Sequence, residues 1–239
     1  EEFGATTSFP TPVVESTGTG GGIKLFCAGV DINTPDIANA SRAMKASEFK
    51  MCQENGVTDI TEALIGFDGI AIAQSSKVQG FNVTKEQLAL AVAKEVPAAD
   101  GKSLIANPYK KWSDISNNLP NREIIVYGPP KSSGTRDSFE ELVLQSVFEK
   151  KAVYTDLFKK DEVANKKYKA YSEIRTDGVF VESGENDNLI VQKLTKNEAA
   201  VGIFGYSFLA ENKDKVVGLS IDNVLPTVET IANSSYPVA

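Results

Sequence analysis

Histidine is absent from this chain of 239 residues. Histidine is the commonest general base and a frequent metal ligand near neutral pH, so its absence excludes Ser-His-Asp and Cys-His catalytic groups and histidine metal sites. Aspartates and glutamates are numerous but scattered, and they do not occur at the spacing of metal ligands. We therefore expect neither an enzyme nor a protein that holds a metal or another cofactor.

Long apolar runs and an excess of basic residues are also missing. No run approaches the roughly 18 apolar residues of a membrane-spanning helix, and the first residues are not typical of a signal peptide. We expect that the chain does not insert into a membrane. We also expect that it is a mature or truncated form. The formal net charge of -7 disfavours nucleic acids and anionic membranes as partners, because both attract basic surfaces. Any anion bound here must be held by local donors.

Cysteine occurs only twice, at Cys27 and Cys52. Such a pair forms either a disulfide or two small buried apolar residues, and we favour the disulfide. In an exported protein it would stabilise the fold by about 3 kcal/mol, because it closes the intervening loop in the unfolded chain.

Residues 127–139 have the chemistry of an anion site and read Tyr-Gly-Pro-Pro-Lys-Ser-Ser-Gly-Thr-Arg-Asp-Ser-Phe. The segment is predicted to end a strand, turn sharply and open a helix, whose first amides lack intrahelical acceptors and carry partial positive charge. Ser133 and Thr135 would add hydroxyl donors. Gly134 would let an anion approach the backbone, and Arg136 would add a guanidinium. The alternative is an ordinary helix cap after a proline turn.

A second segment of the same kind spans residues 15–26 and reads Glu-Ser-Thr-Gly-Thr-Gly-Gly-Gly-Ile-Lys-Leu-Phe. Here too, hydroxyls and glycines precede an apolar helical run. Neither segment matches the nucleotide P-loop or, in its expected context, the dinucleotide-binding glycine fingerprint. A glycine run is also compatible with a plain flexible loop, and this alternative stays open.

Strands and helices alternate along the chain, which predicts an α/β fold with mostly parallel sheets and ligands at the carboxyl ends of strands. With 41% hydrophobic residues, the chain can bury a sizeable core and is compatible with one large or two small domains. The predicted strands are residues 12–16, 36–42, 63–73, 123–127, 199–204 and 216–221. The predicted helices are residues 20–29, 47–55 capped by Ser47, 85–95 opened by a capping box at residues 84–87, 135–150 and 188–196. The lysine-rich stretch 155–177 is expected to form a helix and a solvated loop.

Several short motifs occur in the order seen in periplasmic phosphate-binding proteins. They are residues 17–22, 36–42, 67–69, 133–135, 186–188 and 200–206. From residue 12 to its end, the chain resembles the phosphate-binding subunit of high-affinity phosphate ABC transporters. The resemblance implies a type II periplasmic binding protein fold, in which two α/β lobes enclose a ligand cleft. Lobe 1 would comprise residues 1–73 and 206–239, and lobe 2 would comprise residues 74–205.

The resemblance also implies a function. The protein would capture inorganic phosphate in the cleft and deliver it to the permease subunits of an ABC transporter, as a monomer in the periplasm or exported to the cell envelope. The family's first strand with its loop and its C-terminal helices have no counterpart here, so we expect lobe 1 to be incomplete. A phosphoester-acting enzyme and a structural or adhesive protein with a vestigial anion site are the alternatives.

Matching positions imply the phosphate ligands. They are Thr19, Gly20, Ser41, Arg42, Ser133, Gly134, Thr135 and Arg136. Arg42 and Arg136 would bind the anion from opposite lobes through charge-assisted hydrogen bonds. For both arginines, a surface salt bridge is the alternative.

The best-known family members have an aspartate in place of Arg42, and it accepts the proton of the bound hydrogen phosphate. The departure at Arg42 leaves the acceptor open, and Asp68 and Asp137 are the candidates. A buried carboxylate that has to receive a hydrogen repels fully deprotonated sulfate and is satisfied by hydrogen phosphate. Asp137 could instead pair with Arg136 or stabilise the helix dipole.

Overall fold

The computed structural model describes residues 2–15, 17–160, 173–184 and 186–239. The chain divides into two compact units, Glu1–Ala63 and Leu64–Ala239, which we call unit 1 and unit 2. These units differ from the predicted lobes, because residues 64–73 and 206–239 group with the rest of unit 2. The division into two ligand-binding lobes stays a prediction.

The described residues of unit 1 form three short helices joined by irregular segments. Its helices are α1 (Glu2–Thr6), α2 (Gly18–Phe26) and α3 (Ala46–Glu54). A small buried core consists of Ile23, Cys27, Cys52 and Val57. The predicted disulfide is confirmed, since Cys27 and Cys52 are bonded and both are fully buried. The bond joins the residue that follows α2 to α3, alongside a hydrogen bond from the Asn55 side chain to the Cys27 carbonyl.

Two strand predictions for unit 1 are wrong. Residues 12–15 and 36–42 form no strand and are mostly exposed, and residue 16 lies outside the described residues. A strand requires a neighbour that completes its hydrogen-bond ladder, and no such neighbour exists in the described part of this unit.

The helix boundaries in unit 1 also differ from the prediction. α2 starts at Gly18, two residues early, so the glycine run forms the first turn of the helix rather than a loop before it. α3 starts at Ala46, which places Ser47 inside the helix. The helix start is capped instead by Glu48 of its first turn, whose carboxylate accepts a hydrogen bond of 2.8 Å from the amide of Lys45, the residue before the helix.

Unit 2 is built on a five-stranded sheet. The described strands of unit 2 are β1 (Ile70–Ser75), β2 (Asn82–Val83), β3 (Glu95–Pro97), β4 (Leu104–Ala106), β5 (Val126–Gly128), β6 (Phe180–Glu182), β7 (Val201–Gly205), β8 (Val216–Gly218) and β9 (Ser220–Ile221). The short strands β2, β3, β4 and β9 lie outside the five-stranded sheet. The order in the sheet is β6-β5-β7-β1-β8. β5 is parallel to β6 and β7, whereas β1 is antiparallel to β7 and β8. Within this sheet, every strand except β1 therefore runs in one direction, and the α/β fold class is confirmed.

Helices surround this sheet. They are α4 (Lys85–Val92), α5 (Trp112–Ile115), α6 (Gly134–Phe139), a π-helix (Glu140–Gln145), α7 (Ser146–Phe148), α8 (Ala152–Lys160), α9 (Asp187–Lys196), α10 (Tyr206–Glu211) and α11 (Val228–Ala232). β1 is buried along its whole length, and its alternate residues Ile70 and Ile72 face one apolar core while Ala71 and Ala73 face the other. The sheet is thus covered on both faces. Within the described ranges, no helix combines the length and apolar character required to cross a bilayer.

Several predictions for unit 2 need correction. The strand predicted for residues 63–73 begins only at Ile70, because residues 63–68 are exposed and pair with no neighbour in the described structure. The helix predicted for residues 85–95 ends at Val92. Its capping box is confirmed by reciprocal hydrogen bonds of 3.0 and 3.1 Å between Thr84 and Gln87. Much of the stretch 155–177, namely residues 161–172, lies outside the described residues.

Arg175 is a buried connection within unit 2. Its side chain is 2% exposed and donates hydrogen bonds to the backbone carbonyls of Ala91, Asn107 and Tyr109. Its guanidinium also forms two hydrogen bonds, of 2.8 and 2.5 Å, with the Asp177 carboxylate. These bonds, followed by those from Lys110, hold the pKa of Asp177 well below its usual range. The Arg175 side chain therefore joins its own segment to α4 and to residues 107–109.

We expect the double change Cys27→Ala and Cys52→Ala to lower the free energy of unfolding of unit 1 by about 3 kcal/mol, because the unfolded chain gains the freedom of the opened loop. Thermal unfolding followed by circular dichroism measures the change. Reducing the unaltered protein should reproduce it, and a transition that neither treatment shifts would contradict the structural role of the bond.

Replacing Arg175 with alanine should destabilise unit 2 by about 3–5 kcal/mol, since it leaves the carbonyls of Ala91, Asn107 and Tyr109 without their donor and Asp177 with only its exposed partner Lys110. The stability that the pair provides should be present above about pH 4, the unfolded pKa of aspartate, and be lost as the pH falls further. Urea unfolding at several pH values tests both statements.

The matched control is Lys110→Ala, because Lys110 pairs with the same carboxylate at 2.9 Å from an exposed position. An exposed pair contributes about 1 kcal/mol or less. Equal losses for the Lys110 and Arg175 variants would show that the buried guanidinium has no special role.

Candidate functional site

The carboxyl ends of three parallel strands meet at one edge of the unit 2 sheet. β5, β6 and β7 run side by side, with Val126 opposite both Phe180 and Val201. β1 begins at the same edge, because it is antiparallel to β7 and pairs Ile70 with Gly205. The segments that follow β5 and β7 and the residues that precede β1 therefore lie at this edge, which we call the β7 edge. It is the position at which an α/β sheet binds ligands.

The segment after β5 turns into a helix at the β7 edge. The Ser133 amide donates to the Pro130 carbonyl at 3.0 Å, and the Ser133 carbonyl accepts from the amides of Arg136 and Asp137 at 3.0 and 3.2 Å. α6 starts there, and helical structure continues through the π-helix to the end of α7. The turn predicted from Pro129-Pro130 and the helix start predicted at Thr135 are thus present, with the helix beginning one residue earlier.

The donors at this helix start are not used by the described parts of the protein. The hydroxyls of Ser133 and Thr135 form no hydrogen bond with any described residue. The amides of Gly134 and Thr135 belong to the first turn and have no intrahelical acceptor. Gly134 is exposed and faces open space, since no atom lies within 4 Å of the position that a side chain would occupy. Two hydroxyls and two amides are therefore available to an anion.

Arg136 supports this segment from inside the unit. Its side chain is 3% exposed, and its Nε pairs with Glu140 at 2.6 Å. Its Nη1 donates to the Pro129 carbonyl at 3.1 Å and lies 3.5 Å from Glu182. The guanidinium also stacks over the Phe180 ring, 4.7 Å from its centre. The structure thus places Arg136 among partners of its own, and direct contact with a bound anion stays a prediction.

A cavity of about 400 Å³ opens beside Arg136. Its lining consists of Lys131, Arg136, Arg175, Thr176, Phe180 and Glu182. Two of its three cationic side chains already have carboxylate partners, because Arg136 pairs with Glu140 and Glu182 and Arg175 pairs with Asp177. The arginines of this cavity are therefore largely neutralised by their neighbours.

The two carboxylates proposed as proton acceptors lie in different settings. Asp68 is exposed at the β7 edge, and its Oδ1 accepts the Gly69 amide at 2.8 Å. Asp137 is exposed in the first turn of α6. Desolvation raises the pKa of Asp137, the charge of Arg136 opposes this shift, and that of Glu141 adds to it. The structure places both carboxylates in unit 2.

Asp187 is a carboxylate that the sequence analysis did not select. It opens α9 behind the Asn186 cap, is 7% exposed, and accepts the Gly205 amide at 3.2 Å. Burial raises its pKa, the Gly205 hydrogen bond lowers it, and the charge of Asp68 raises it further. The motif at residues 186–188 contributed to the family resemblance, but nothing in its sequence distinguishes a buried aspartate from an ordinary first-turn aspartate.

In unit 1 the predicted hydroxyl ligands lie together. The Thr19 and Ser41 hydroxyls are 3.0 Å apart, and the Ser41 amide donates to the Thr19 hydroxyl at 3.1 Å. Gly20, in the same helical turn as Thr19, is exposed to open space. These contacts join the glycine-rich helix start to the segment before α3, so two motifs that are distant in sequence form one cluster.

Arg42 completes this cluster but is paired within unit 1. Its Nη1 and Nη2 form hydrogen bonds of 2.9 and 2.8 Å with the two oxygens of the Glu48 carboxylate. The Arg42 hydrogen bonds are the main reason that the pKa of Glu48 is lowered. The salt bridge that sequence analysis held as the alternative is therefore present, and binding of an anion by Arg42 and Arg136 together stays a prediction.

Comparisons with known proteins agree with this fold. Protein SphX of Synechococcus elongatus is 29% identical over 241 residues, which cover 99% of this chain and 59% of that protein. Phosphate-binding protein PstS of Staphylococcus saprophyticus is 29% identical over 246 residues, covering 100% of this chain and 62% of that protein. This chain thus spans about three fifths of the length of these curated relatives.

A solved structure shows the same architecture. The protein described as "a possible phosphate binding protein from Planctomyces limnophilus" superposes with a TM-score of 0.61 at 24% identity, over 92% of this chain and 64% of that one. At this identity the likeness supports the fold alone. The family model described as the PBP superfamily domain matches residues 1–239, the whole sequence. The chain therefore belongs to the PBP superfamily.

Proposed function

We propose that this chain is the ligand-binding part of a solute-binding protein that captures inorganic phosphate. The observation that carries the proposal is the set of unused donors at Ser133, Gly134 and Thr135, which stand at the carboxyl end of a parallel strand. Backbone amides and hydroxyls at a helix start suit a tetrahedral oxyanion, because they donate hydrogen bonds to its separate oxygens. Such a site does not require a large excess of cationic side chains. The name of the Staphylococcus saprophyticus relative supports phosphate as that oxyanion.

The resemblance predicts phosphate ligands in unit 1 as well. Thr19 and Ser41 have hydroxyls that are already held together at 3.0 Å, and the Arg42 charge is paired with Glu48. A pre-arranged pair of hydroxyls loses little conformational freedom when an anion binds, which increases affinity. Arg136 contributes by fixing the Pro129 carbonyl and hence the turn that leads to Ser133.

Selectivity for phosphate would come from a carboxylate at the same edge. Asp68 accepts one hydrogen bond from Gly69, which leaves lone pairs for a proton of hydrogen phosphate. Sulfate at neutral pH has no proton to donate, so it would meet an uncompensated negative charge. Asp137 is the second candidate for this role, and its raised pKa would make it a better proton acceptor.

The proposal extends to the whole protein. A chain of this family would release phosphate to the permease subunits of an ABC transporter from the periplasm or another place in the cell envelope, acting as a monomer and without catalysis. The resemblance in sequence supports this role, and the names of the relatives support the ligand.

Calorimetric titration with phosphate, sulfate and arsenate tests the ligand. We expect saturable phosphate binding and no sulfate binding at the same concentrations, because the Asp68 carboxylate rejects an anion without a proton. Incubation with a chromogenic phosphoester should release no product. Hydrolysis of that compound would favour an enzyme, and absence of binding to all three anions would favour a protein with a vestigial site.

The single changes Ser133→Ala and Thr135→Ala should each weaken phosphate binding by about 10- to 100-fold, the effect of losing one hydrogen bond to a charged group. Both side chains are half-buried and form no hydrogen bond with a described residue, so the fold should be unaffected. Calorimetry measures the loss.

The matched control for these two variants is Ser113→Ala. Ser113 is a hydroxyl of α5, which follows the bridge between Lys111 and Glu123 and so lies toward the beginning of β5, at the opposite edge of the sheet. Phosphate affinity that the control keeps and the two variants lose supports the site. Wild-type affinity in both Ser133 and Thr135 variants would place phosphate elsewhere.

A further inference from the structure

One face of α2 connects the hydroxyl pair of unit 1 to its disulfide. Thr19, Ile23 and Cys27 follow one another at intervals of four residues, which places them in one row along the helix and the residue that ends it. Ile23 and Cys27 are buried and Thr19 is half-buried, whereas Gly20 and Lys24, one position further round the helix, are exposed. This row is therefore the face that α2 turns toward the rest of unit 1.

α3 has a corresponding row. Glu48 is half-buried and Cys52, four residues later, is fully buried, while their neighbours Phe49 and Gln53 are exposed. The disulfide joins this row to Cys27, whose Sγ also lies 3.7 Å from the Glu48 carbonyl oxygen. The disulfide therefore lies on the contact between the two helices.

The other end of the α2 row holds the hydroxyl pair. The Ser41 amide donates to the Thr19 hydroxyl at 3.1 Å, and the two hydroxyls are 3.0 Å apart. Ser41 lies in the segment that leads into α3, and the next residue, Arg42, is bound to α3 through Glu48. α2 is thus held at its start by the hydroxyl pair and at its end by the disulfide, about 12 Å further along the helix axis.

The buried core around these contacts is small. In the described part of unit 1 it consists of Ile23, Val57 and the two bonded cysteines. Apolar contacts are not directional, so a core of this size restrains the angle and register of two nine-residue helices only weakly. Beside the hydrogen bond from Asn55 to the Cys27 carbonyl, the covalent bond is the fixed restraint at this end of α2.

We infer that the Cys27–Cys52 disulfide is a positioning bond of the oxyanion site, which fixes the row of α2 that carries Thr19 against α3 and so holds the Thr19 and Ser41 hydroxyls in the arrangement that binds phosphate. The inference rests on the proposed function. It assigns to neither cysteine a contact with the ligand. Oxidised protein binds phosphate more tightly than reduced protein, because hydroxyls that are already held together lose less conformational freedom on binding.

The double change Cys27→Ala and Cys52→Ala removes the bond and leaves both hydroxyls in place. We expect it to weaken phosphate binding by about tenfold, the effect of having to order two side chains when the anion binds. Calorimetric titration of the full chain measures the loss at a temperature at which circular dichroism shows the variant to be folded. Reduction of the unaltered chain should give the same loss, and reductant should leave the affinity of the double variant unchanged. Wild-type affinity in the folded double variant would overturn the inference.

The matched control is Val57→Ala. Val57 belongs to the same buried core, so its truncation lowers the stability of unit 1 while the disulfide stays in place. This variant should keep the wild-type affinity for phosphate. Equal losses of affinity in the control and in the double-cysteine variant would attribute the effect to core stability and would contradict a positioning role of the bond.

Amide hydrogen exchange gives a second readout, which requires no ligand. The Ser41 amide donates to the Thr19 hydroxyl, so it should exchange faster in the double-cysteine variant than in the oxidised chain. A Ser41 amide that exchanges at the same rate with and without the bond would show that the disulfide does not hold the hydroxyl pair.

A double-mutant cycle tests whether the bond acts through Thr19. Thr19→Ala alone should weaken phosphate binding, and removal of the disulfide should add little to that loss when the changes are combined. Independent, additive losses would contradict this coupling. Because Thr19 is half-buried and lies outside the apolar core, its variant should fold even if the double-cysteine variant does not, and unchanged affinity in the Thr19 variant would overturn the inference by itself.

The failure of the inference can be told apart from the failure of the proposed function. If the unaltered, oxidised chain binds no phosphate, the proposed function fails and the inference falls with it. If the unaltered chain binds phosphate and the double-cysteine variant binds it as tightly, only the inference is contradicted.

Discussion

The pairing of β1 with β7 is the contact on which the rest of unit 2 depends. β1 is the single strand of the sheet that runs against the others, and both of its faces are buried in apolar cores. Because it is antiparallel, its beginning meets the end of β7, so Asp68 and Gly69 lie at the edge where β5 and β7 lead into their loops. If β1 were parallel to its neighbours, Asp68 would stand at the opposite edge, away from Ser133.

The second constraint is electrostatic. A chain with a net charge of -7 repels anions at long range, and its two best-placed arginines already have carboxylate partners, Glu48 for Arg42 and Glu140 for Arg136. Under the proposed function, the attraction for an oxyanion would come from oriented dipoles, the amides and hydroxyls at residues 133–135. Donors of this kind accept any tetrahedral oxyanion of the right size, so the proposed discrimination against sulfate would depend on the carboxylate at the same edge.

Local chemistry in the sequence predicted local structure well. The capping box at Thr84, the bond between Cys27 and Cys52, and the turn and helix start around Ser133 follow from neighbouring residues and occur as expected. The strands expected at residues 12–16 and 36–42 and before Ile70 do not form, because a strand depends on a partner that composition does not reveal. Contacts between residues that are distant in sequence could not be predicted either. Neither the hydrogen bonds of Arg175 to three carbonyls nor the burial of Asp187 beside Gly205 has a signature in the sequence.

Amide NMR of the isotopically labelled chain can show whether the amides and hydroxyls of residues 133–135 bind phosphate. We expect the amide signals of Gly134 and Thr135 to shift saturably as phosphate is added, and sulfate at equal concentration to leave them in place. Saturable phosphate binding that moves other amides while those of Gly134 and Thr135 stay unchanged would contradict a site at this helix start.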